Sequence, residues 1–248
     1  MDGIGHILYQ ISYMGLPLLF AMVLHEYAHG WMADKCGDPT AKLQGRLTLN
    51  PLAHIDPFGT ILMPLLCLML PGSFLLGWAK PVPIDPRNMT RPRRDMALVA
   101  AAGPGMNLAL AVVSALTLAA ILTLDPGLSI RGESRGADAP GTSVGSMFLL
   151  PIAVMAFYSV LINVFLGLFN LIPIPPLDGG RILVSLLPPQ PAMALARLEP
   201  YGMLILVGLL VFDKELRVIH TISSVFATGL SGTLLSTALG LSTGGSAQ

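Results

Sequence analysis

Long apolar stretches dominate this chain, and three of them are long enough to cross a membrane as helices. A spanning helix needs about 20 consecutive, mostly apolar residues. Residues 4–31, 97–124 and 147–172 meet that requirement. Each is followed by a polar or proline-containing segment, in which a spanning helix could end. The pattern therefore predicts three membrane-spanning helices.

Three other apolar stretches have a weaker pattern. Prolines and glycines interrupt residues 58–78, residues 201–212 are short, and residues 219–241 contain several serines and threonines. The last stretch could form a final span or a helix that lies on the membrane surface. The tail, residues 242–248, is small and polar and is expected to be frayed.

Two polar segments separate the first two spans. In the first segment, alternation in Leu43, Arg46, Leu47, Thr48 and Leu49 predicts a short β-hairpin at the membrane interface. The second segment, residues 77–95, has too many prolines for a helix and is expected to be extended chain and loop.

The composition supports a membrane protein and argues against a soluble domain and a nucleic-acid-binding protein. The chain is 53% hydrophobic and only 11% charged, whereas soluble domains average about 25% charged residues. Its formal net charge is zero, which argues against nucleic acid as a partner.

The distribution of basic residues predicts how the spans are oriented. Eight lysines and arginines lie between the first and second spans, whereas the loop 125–145 balances two arginines with three acidic residues. By the positive-inside rule the first region is cytoplasmic and the loop is not. Because basic segments flank residues 58–78 on both sides, we expect that stretch to enter and leave the membrane on one side, as a re-entrant or interfacial element.

The first span ends in a metal-binding pattern. His25 and His29 are four residues apart, so on a helix both side chains lie on one face. Two neutral imidazoles at this spacing can bind one zinc ion, with Glu26 beside them to act on water. A surface pair of histidines is the alternative, but ionisable groups at the end of an apolar span are usually functional.

A catalytic zinc site needs a third protein ligand. Asp178 follows the third span on the predicted cytoplasmic side, near the end of the first span, and is the best candidate. Glu133 and Asp138 are predicted to lie on the opposite side of the membrane. Asp213 and Glu215 belong to a charged cluster that is more simply explained by exposure to solvent.

The segment around Asp178 is expected to be unwound. Pro173, Pro175 and Pro176 interrupt a helix, and Gly179 and Gly180 relax the turn after Asp178. An ordinary helix end is the simpler interpretation, but it needs fewer prolines and glycines. Unwound backbone here, together with the Asn170 amide, could hydrogen-bond an extended peptide beside the metal.

Several motifs together resemble the site-2 protease family of intramembrane zinc metalloproteases, in a short form. The main matches are HEYAHG at 25–30, AAGPGMN at 101–107 and NLIPIPPLDGGRIL at 170–183. LNPLAHIDPFG and LGWAKPVPIDPRN, between the first two motifs, are also similar. The resemblance covers roughly residues 15–185 in the family's order.

This resemblance implies a role for each candidate residue. His25, His29 and Asp178 would bind Zn²⁺, Glu26 would be the catalytic base, and Asn170 would position the substrate. Asn107 would pack helices near the site, although a simple interhelical hydrogen bond is an equal alternative. His54 and Asp56 are expected in turns, and His6 and His220 are not expected to be ligands.

The expected fold is an all-α polytopic membrane protein, with a three-helix catalytic core, flanking helices and the small β-hairpin. It would form one membrane-embedded metalloprotease domain over residues 1–248, with its core at 4–187 and C-terminal helices at 191–241. A multi-pass location in the cell inner or plasma membrane is expected, with the active site open to the cytoplasm. The sequence does not indicate an oligomeric state.

The implied activity is hydrolysis of peptide bonds within or near transmembrane segments, as in regulated intramembrane proteolysis. The partners would be a transmembrane protein substrate and membrane lipid, without nucleic acid. A zinc transporter is one alternative, but the second span offers few polar residues for a path. A non-catalytic scaffold is another, although it would not need Glu26. The chain shows neither the PDZ-like nor the nucleotide-sensing domain of some members, so substrate selection and regulation stay open.

Overall fold

The computed structural model describes residues 3–63, 78–125, 128 and 144–202. Six α-helices lie in these ranges: α1 Gly3–Lys35, α2 Thr40–Leu43, α3 Pro92–Leu124, α4 Val144–Asn170, α5 Asp178–Leu186 and α6 Pro189–Ala196. Short 3₁₀ turns occur at Pro51–His54, Pro86–Asn88 and Glu199–Tyr201, and a π-helical turn at Pro57–Leu62.

Two helices of the described chain are long and apolar enough to cross a membrane. They are Pro92–Leu124 and, within α4, Met147–Asn170, and they match the second and third predicted spans. Helix α3 begins five residues before the predicted span, because Pro92 is tolerated in the first turn of a helix, where no N–H is needed. Helix α1 covers the first predicted span with 33 residues, and its passage through a membrane stays a prediction.

The predicted β-hairpin is not confirmed, since no strand occurs anywhere in the described ranges. Thr40–Leu43 forms a single helical turn instead. Gly45 follows with a φ of +66°, and the N–H groups of Arg46 and Leu47 both bond to the carbonyl of Ala41. The alternating pattern fails here because these backbone groups are satisfied locally rather than by a partner strand.

Several predicted elements lie mostly outside the described residues. They are the 64–77 part of the re-entrant stretch, the apolar runs beyond residue 202 and the tail 242–248. Of the C-terminal helical region, α6 and the turn Glu199–Tyr201 are described.

The chain divides into two compact units. The described part of the first contains residues 3–18, 108–125, 128 and 144–165. Leu118, Ile121, Ala153 and Ala156 form its buried apolar cluster, which joins α3 to α4. The hydroxyls of Ser114 and Ser159 add a 2.7 Å hydrogen bond between the same helices.

The second unit contains residues 19–63, 78–107 and 166–202 of the described chain, and it holds every candidate site residue. Its buried cluster of Ala33, Met89 and Val99 packs the end of α1 against the start of α3 and the loop before it.

Hydrogen bonds to Asp38 hold the loop that contains Asp85 and Asn88 against the end of α1. Its side chain is fully buried and accepts hydrogen bonds from the Asp85 N–H at 2.7 Å and the Asn88 amide at 2.9 Å. The N–H and hydroxyl of Thr40 donate to the same carboxylate. Asp38 thereby fixes the position of the segment that passes over Glu26.

Candidate metal centre

Three side chains from two helices converge in the second unit. His25 and His29 lie one turn apart on α1, and Asp178 is the first residue of α5. The Nε2 atoms of the two histidines are 3.0 Å apart, and they lie 3.1 and 3.3 Å from the Oδ2 and Oδ1 atoms of Asp178 respectively. One potential ligand atom from each residue lies within 4.8 Å of the others, and all three residues are buried.

Hydrogen bonds on the far side of each imidazole fix where its proton lies. His25 Nδ1 lies 2.6 Å from Asn107 Oδ1, while the Asn107 amide nitrogen donates to the carbonyl of Ala21. His29 Nδ1 lies 2.7 Å from the carbonyl of Val99. Because both oxygens only accept, each Nδ1 carries a proton, and a ring in its neutral form would present its lone pair at Nε2.

With both rings neutral, the converging atoms are all electron-pair donors. Among the described residues, the buried Asp178 Oδ2 has no hydrogen-bond partner, although it lies 3.1 Å from His25 Nε2. Three unprotonated donors that face one another repel unless a cation lies between them. Two imidazoles and one carboxylate fit the ligand set of a catalytic zinc site, which leaves a further position for water.

Gly103 of α3 borders this site and leaves room for it. A Cβ atom added to Gly103 would lie 2.4 Å from His29 Nε2 and 2.6 Å from His25 Cε1. No side chain fits at this distance, so helix α3 can approach the ligand atoms only with bare backbone. The sequence identified AAGPGMN as a motif, but its spacing alone gave no sign of this contact.

The glycines after Asp178 have a different role from the predicted one. Both lie inside α5, not in a relaxed turn. A Cβ at Gly179 would lie 2.2 Å from the Leu171 carbonyl oxygen, and one at Gly180 would lie 2.4 Å from Pro175 N. They allow α5 to pack directly on the preceding loop, and this packing sets the position of Asp178.

Glu26 is half-buried and directly follows His25 in α1. Its Oε2 accepts a 2.8 Å hydrogen bond from the backbone N–H of Val82, 56 positions later in the chain. The sequence did not predict this contact. The one available sign was that Pro81 and Pro83 lack an N–H, which leaves Val82 as the donor between them.

The other predicted residues have local partners. The Asn170 amide donates to the Leu166 carbonyl of its own helix at 2.9 Å, so its predicted role in substrate positioning stays a prediction. His54 ends a 3₁₀ turn and Asp56 caps the π-helical turn, both as expected of turn residues. The side chains of His6 and His220 lie outside the described part of the chain.

Comparison with known proteins identifies the family of this chain. The model of peptidase family M50 matches residues 13–211. A protein of Bacillus subtilis (strain 168) named "Putative zinc metalloprotease YwhC" is 39% identical over 204 residues, which cover 81% of each chain. "Putative zinc metalloprotease Rip2" of Mycolicibacterium smegmatis is 33% identical over 207 residues, which cover 81% of this chain and 70% of that relative. No solved structure matches the chain. On the family match and these identities, the chain belongs to peptidase family M50, the site-2 protease family of metalloproteases.

Proposed function

We propose that this protein is an intramembrane zinc metalloprotease that cleaves peptide bonds within or near the transmembrane segments of other membrane proteins. The observation that carries the proposal is the convergence of His25, His29 and Asp178, with Glu26 next to His25 in α1 and its carboxylate held by the Val82 N–H. The family match and the names of the relatives support the same chemistry.

His25, His29 and Asp178 would hold the zinc ion in this proposal. A bound zinc ion supplies a Lewis acid, which acidifies water and polarises a carbonyl group. Asn107 and the Val99 carbonyl keep the two imidazoles in the tautomer that presents Nε2 to the site.

Glu26 would carry the proton during hydrolysis. The Val82 N–H occupies Oε2, which leaves Oε1 to accept a proton from the attacking water. As the C–N bond breaks and the new C–O bond forms, the same oxygen returns the proton to the leaving nitrogen. Water is thereby added across the peptide bond with Glu26 unchanged.

The membrane setting is part of the proposal. The two apolar helices α3 and α4 and the membrane-associated family support a multi-pass protein. The basic segments favour an active site that opens to the cytoplasm, with the loops 40–56 and 80–95 at its entrance. A transmembrane substrate would have to unwind, because a helix hides its own peptide bonds, and Asn170 would bind the unwound strand.

The test of Glu26 uses purified protein in detergent with a transmembrane substrate. Glu26→Gln should abolish cleavage and keep the zinc content of the wild type. Glu199→Gln is the matched control, since it makes the same chemical change at a half-exposed ion pair with Arg181. Cleavage by Glu26→Gln at the wild-type rate would contradict the mechanism.

Asp178→Ala tests the metal site separately. Removal of one of three ligands should lower bound zinc, measured by elemental analysis of the purified protein. Unchanged zinc content would rule out Asp178 as a ligand. A zinc transporter would instead carry zinc into proteoliposomes without substrate cleavage, and a scaffold would show neither activity.

A further inference from the structure

We propose that residues 78–83, WAKPVP, act as a positioning strap that holds the Glu26 carboxylate through the backbone N–H of Val82. This proposal rests on the proposed function, because it assigns the strap to the residue that would move the proton. It concerns the hydrogen bond between Val82 and Glu26, which the structure shows and which the residue pattern did not predict.

The strap places one hydrogen-bond donor, the Val82 N–H, against one oxygen, Oε2 of Glu26. Pro81 and Pro83 have no N–H, so Val82 supplies the only backbone donor in the PVP triplet. That donor lies 2.8 Å from Glu26 Oε2, and Val82 is only 6% exposed. Each proline also restricts the residue before it to extended conformations, which limits the ways the N–H can turn away.

Backbone groups of Trp78 and Lys80 are bonded to the turns Pro51–His54 and Pro57–Leu62. Trp78 donates its N–H to the Gly59 carbonyl at 3.1 Å and accepts from the Thr60 hydroxyl at 2.9 Å. Lys80 donates its N–H to the His54 carbonyl at 2.8 Å. The strap is therefore fixed at Trp78 and Lys80 by residues outside the metal site.

Arg46 clamps the strap immediately before Val82. Its guanidinium Nη2 donates to the Lys80 carbonyl at 2.8 Å and to the Pro81 carbonyl at 3.2 Å. Charge-assisted bonds to two successive carbonyls resist movement better than a single neutral bond. Arg46 thus acts on Glu26 through the strap and touches no reacting atom.

Two glycines allow the strap to lie this close to α1 and to the loop. A Cβ at Gly30 would lie 3.0 Å from the Val82 side chain, and one at Gly59 would lie 2.3 Å from the Trp78 indole. These contacts give a physical reason for the last residue of HEYAHG and for the glycine of DPFG.

The hydrogen bond from Val82 gives the two oxygens of the Glu26 carboxylate different roles. With Oε2 held, the side chain cannot rotate freely, and Oε1 is the oxygen left to exchange the proton. Loss of orientation of a reacting group by about 1 Å can reduce rate roughly a hundredfold. We therefore expect the strap to affect the catalytic step more than substrate binding or zinc retention.

The first experiment compares two variants at one position. Val82→Pro removes the N–H and keeps an extended backbone, whereas Val82→Ala keeps the N–H and trims the side chain. We expect kcat of Val82→Pro to be roughly 10- to 100-fold below that of Val82→Ala, with KM within about twofold and equal zinc content. Equal kcat values for the two variants would overturn the proposal.

An ester in the backbone keeps the test decisive if Val82→Pro does not fold. Cell-free translation can place the α-hydroxy acid analogue of valine at position 82, which exchanges only the N–H for oxygen. The same loss in kcat is expected. Arg46→Gln should also lower kcat, and Arg46→Lys, which keeps one charged donor, should recover part of that loss. A wild-type kcat in the ester protein would overturn the proposal.

A double-substitution cycle separates the strap from general structural damage. Glu26→Asp withdraws the carboxylate by one methylene and should already break its bond to Val82. The ester at position 82 should then cause little further loss in the Glu26→Asp background. Losses that multiply independently would show that Val82 does not act through Glu26.

An infrared measurement distinguishes failure of this proposal from failure of the proposed function. The carboxylate band of Glu26 can be identified by its loss in Glu26→Gln, in the absence of any substrate. The ester at position 82 should shift that band, whether or not the protein is a protease. An unshifted band would overturn the strap proposal, whereas a shifted band without cleavage would contradict only the protease assignment.

Discussion

Asn107 and His25 form a buried 2.6 Å hydrogen bond between side chains 82 positions apart in the chain. The Asn107 oxygen accepts the Nδ1 proton of His25, and so directs the Nε2 lone pair toward His29 and Asp178. The sequence predicts that Asn107 either packs helices near the site or forms a simple interhelical hydrogen bond, and neither interpretation includes a role toward His25. Beyond joining two helices, the residue orients a candidate metal ligand.

The first prediction is that Asn107→Leu weakens zinc binding. The substitution keeps a similar volume but removes the acceptor, so His25 can rotate or change tautomer. Loss of such a partner typically costs roughly 10- to 100-fold in metal affinity. Competition between the purified protein and a fluorescent chelator measures the affinity.

Asn107→Asp is the matched comparison, because a carboxylate also accepts the Nδ1 proton. It should bind zinc more tightly than Asn107→Leu. Equal affinities for the two variants would mean that Asn107 only packs helices together.

The second prediction concerns two glycines on the same helix. Gly103→Ala would place a Cβ 2.4 Å from His29 Nε2, whereas no described atom lies within 4 Å of a Cβ at Gly105. Gly103→Ala should therefore lose zinc. Gly105→Ala should keep it and gain about 0.5–1 kcal/mol of helix stability.

Elemental analysis and thermal unfolding in detergent check this pair. The two variants make the same chemical change two residues apart on α3, so differences in helix propensity cancel. Full zinc occupancy in Gly103→Ala would show that the site tolerates a side chain there.

The third prediction tests how Asp178 is placed. In Gly179→Ala the new Cβ would meet the Leu171 carbonyl oxygen at 2.2 Å, and a backbone atom cannot move aside cheaply. Helix α5 must shift away, with a loss of about 1–3 kcal/mol of stability and a lower zinc content. Ser185→Ala, on the same helix, removes only a bond to the Arg181 carbonyl and should change stability by less than about 0.5 kcal/mol.

The fourth prediction is a pH dependence that comes from Asp38. Burial raises the pKa of this carboxyl, but hydrogen bonds from Asn88, Thr40 and Asp85 lower it by more, so that the pKa lies below the ordinary value of 3.8. Because the folded-state pKa is lowered, the stabilisation is present above about pH 4 and is lost as the pH falls below it.

Thermal unfolding of the wild type and of Asp38→Asn measures this effect. At pH 6 the variant should be less stable by about 1–3 kcal/mol, and the difference should shrink between pH 4 and pH 2. Asp34→Asn is the control, since its carboxylate forms only a 3.7 Å surface pair with Lys42 and should contribute less than about 1 kcal/mol. A difference for Asp38→Asn that is equal at pH 6 and pH 3 would contradict the prediction.

The sequence could indicate His25, His29 and Asp178 as a group because each carries a strong constraint. A spacing of four places two histidines on one helix face, and the basic segments indicate which acidic residue reaches the same side. The helices α3 and α4 were also predictable, because apolar length determines whether a helix can span a membrane.

Gly103 and Val82 could not be identified in the same way. Their importance depends on how closely two backbones approach, and the pattern of apolar and polar residues carries no such information. The predicted β-hairpin failed for a related reason, since alternation over 43–49 did not reveal that Ala41 would accept the N–H groups of Arg46 and Leu47.

The three converging donors also bear on when the protein can become active. His25 and His29 belong to the first helix, whereas Asp178 follows roughly 150 residues later, so a shared ion would close a very long loop. A nascent chain that ends before Asp178 carries only two of the three donors. Under the proposed function, such a chain would bind zinc weakly and would stay inactive, so that activity depends on the later arrival of Asp178.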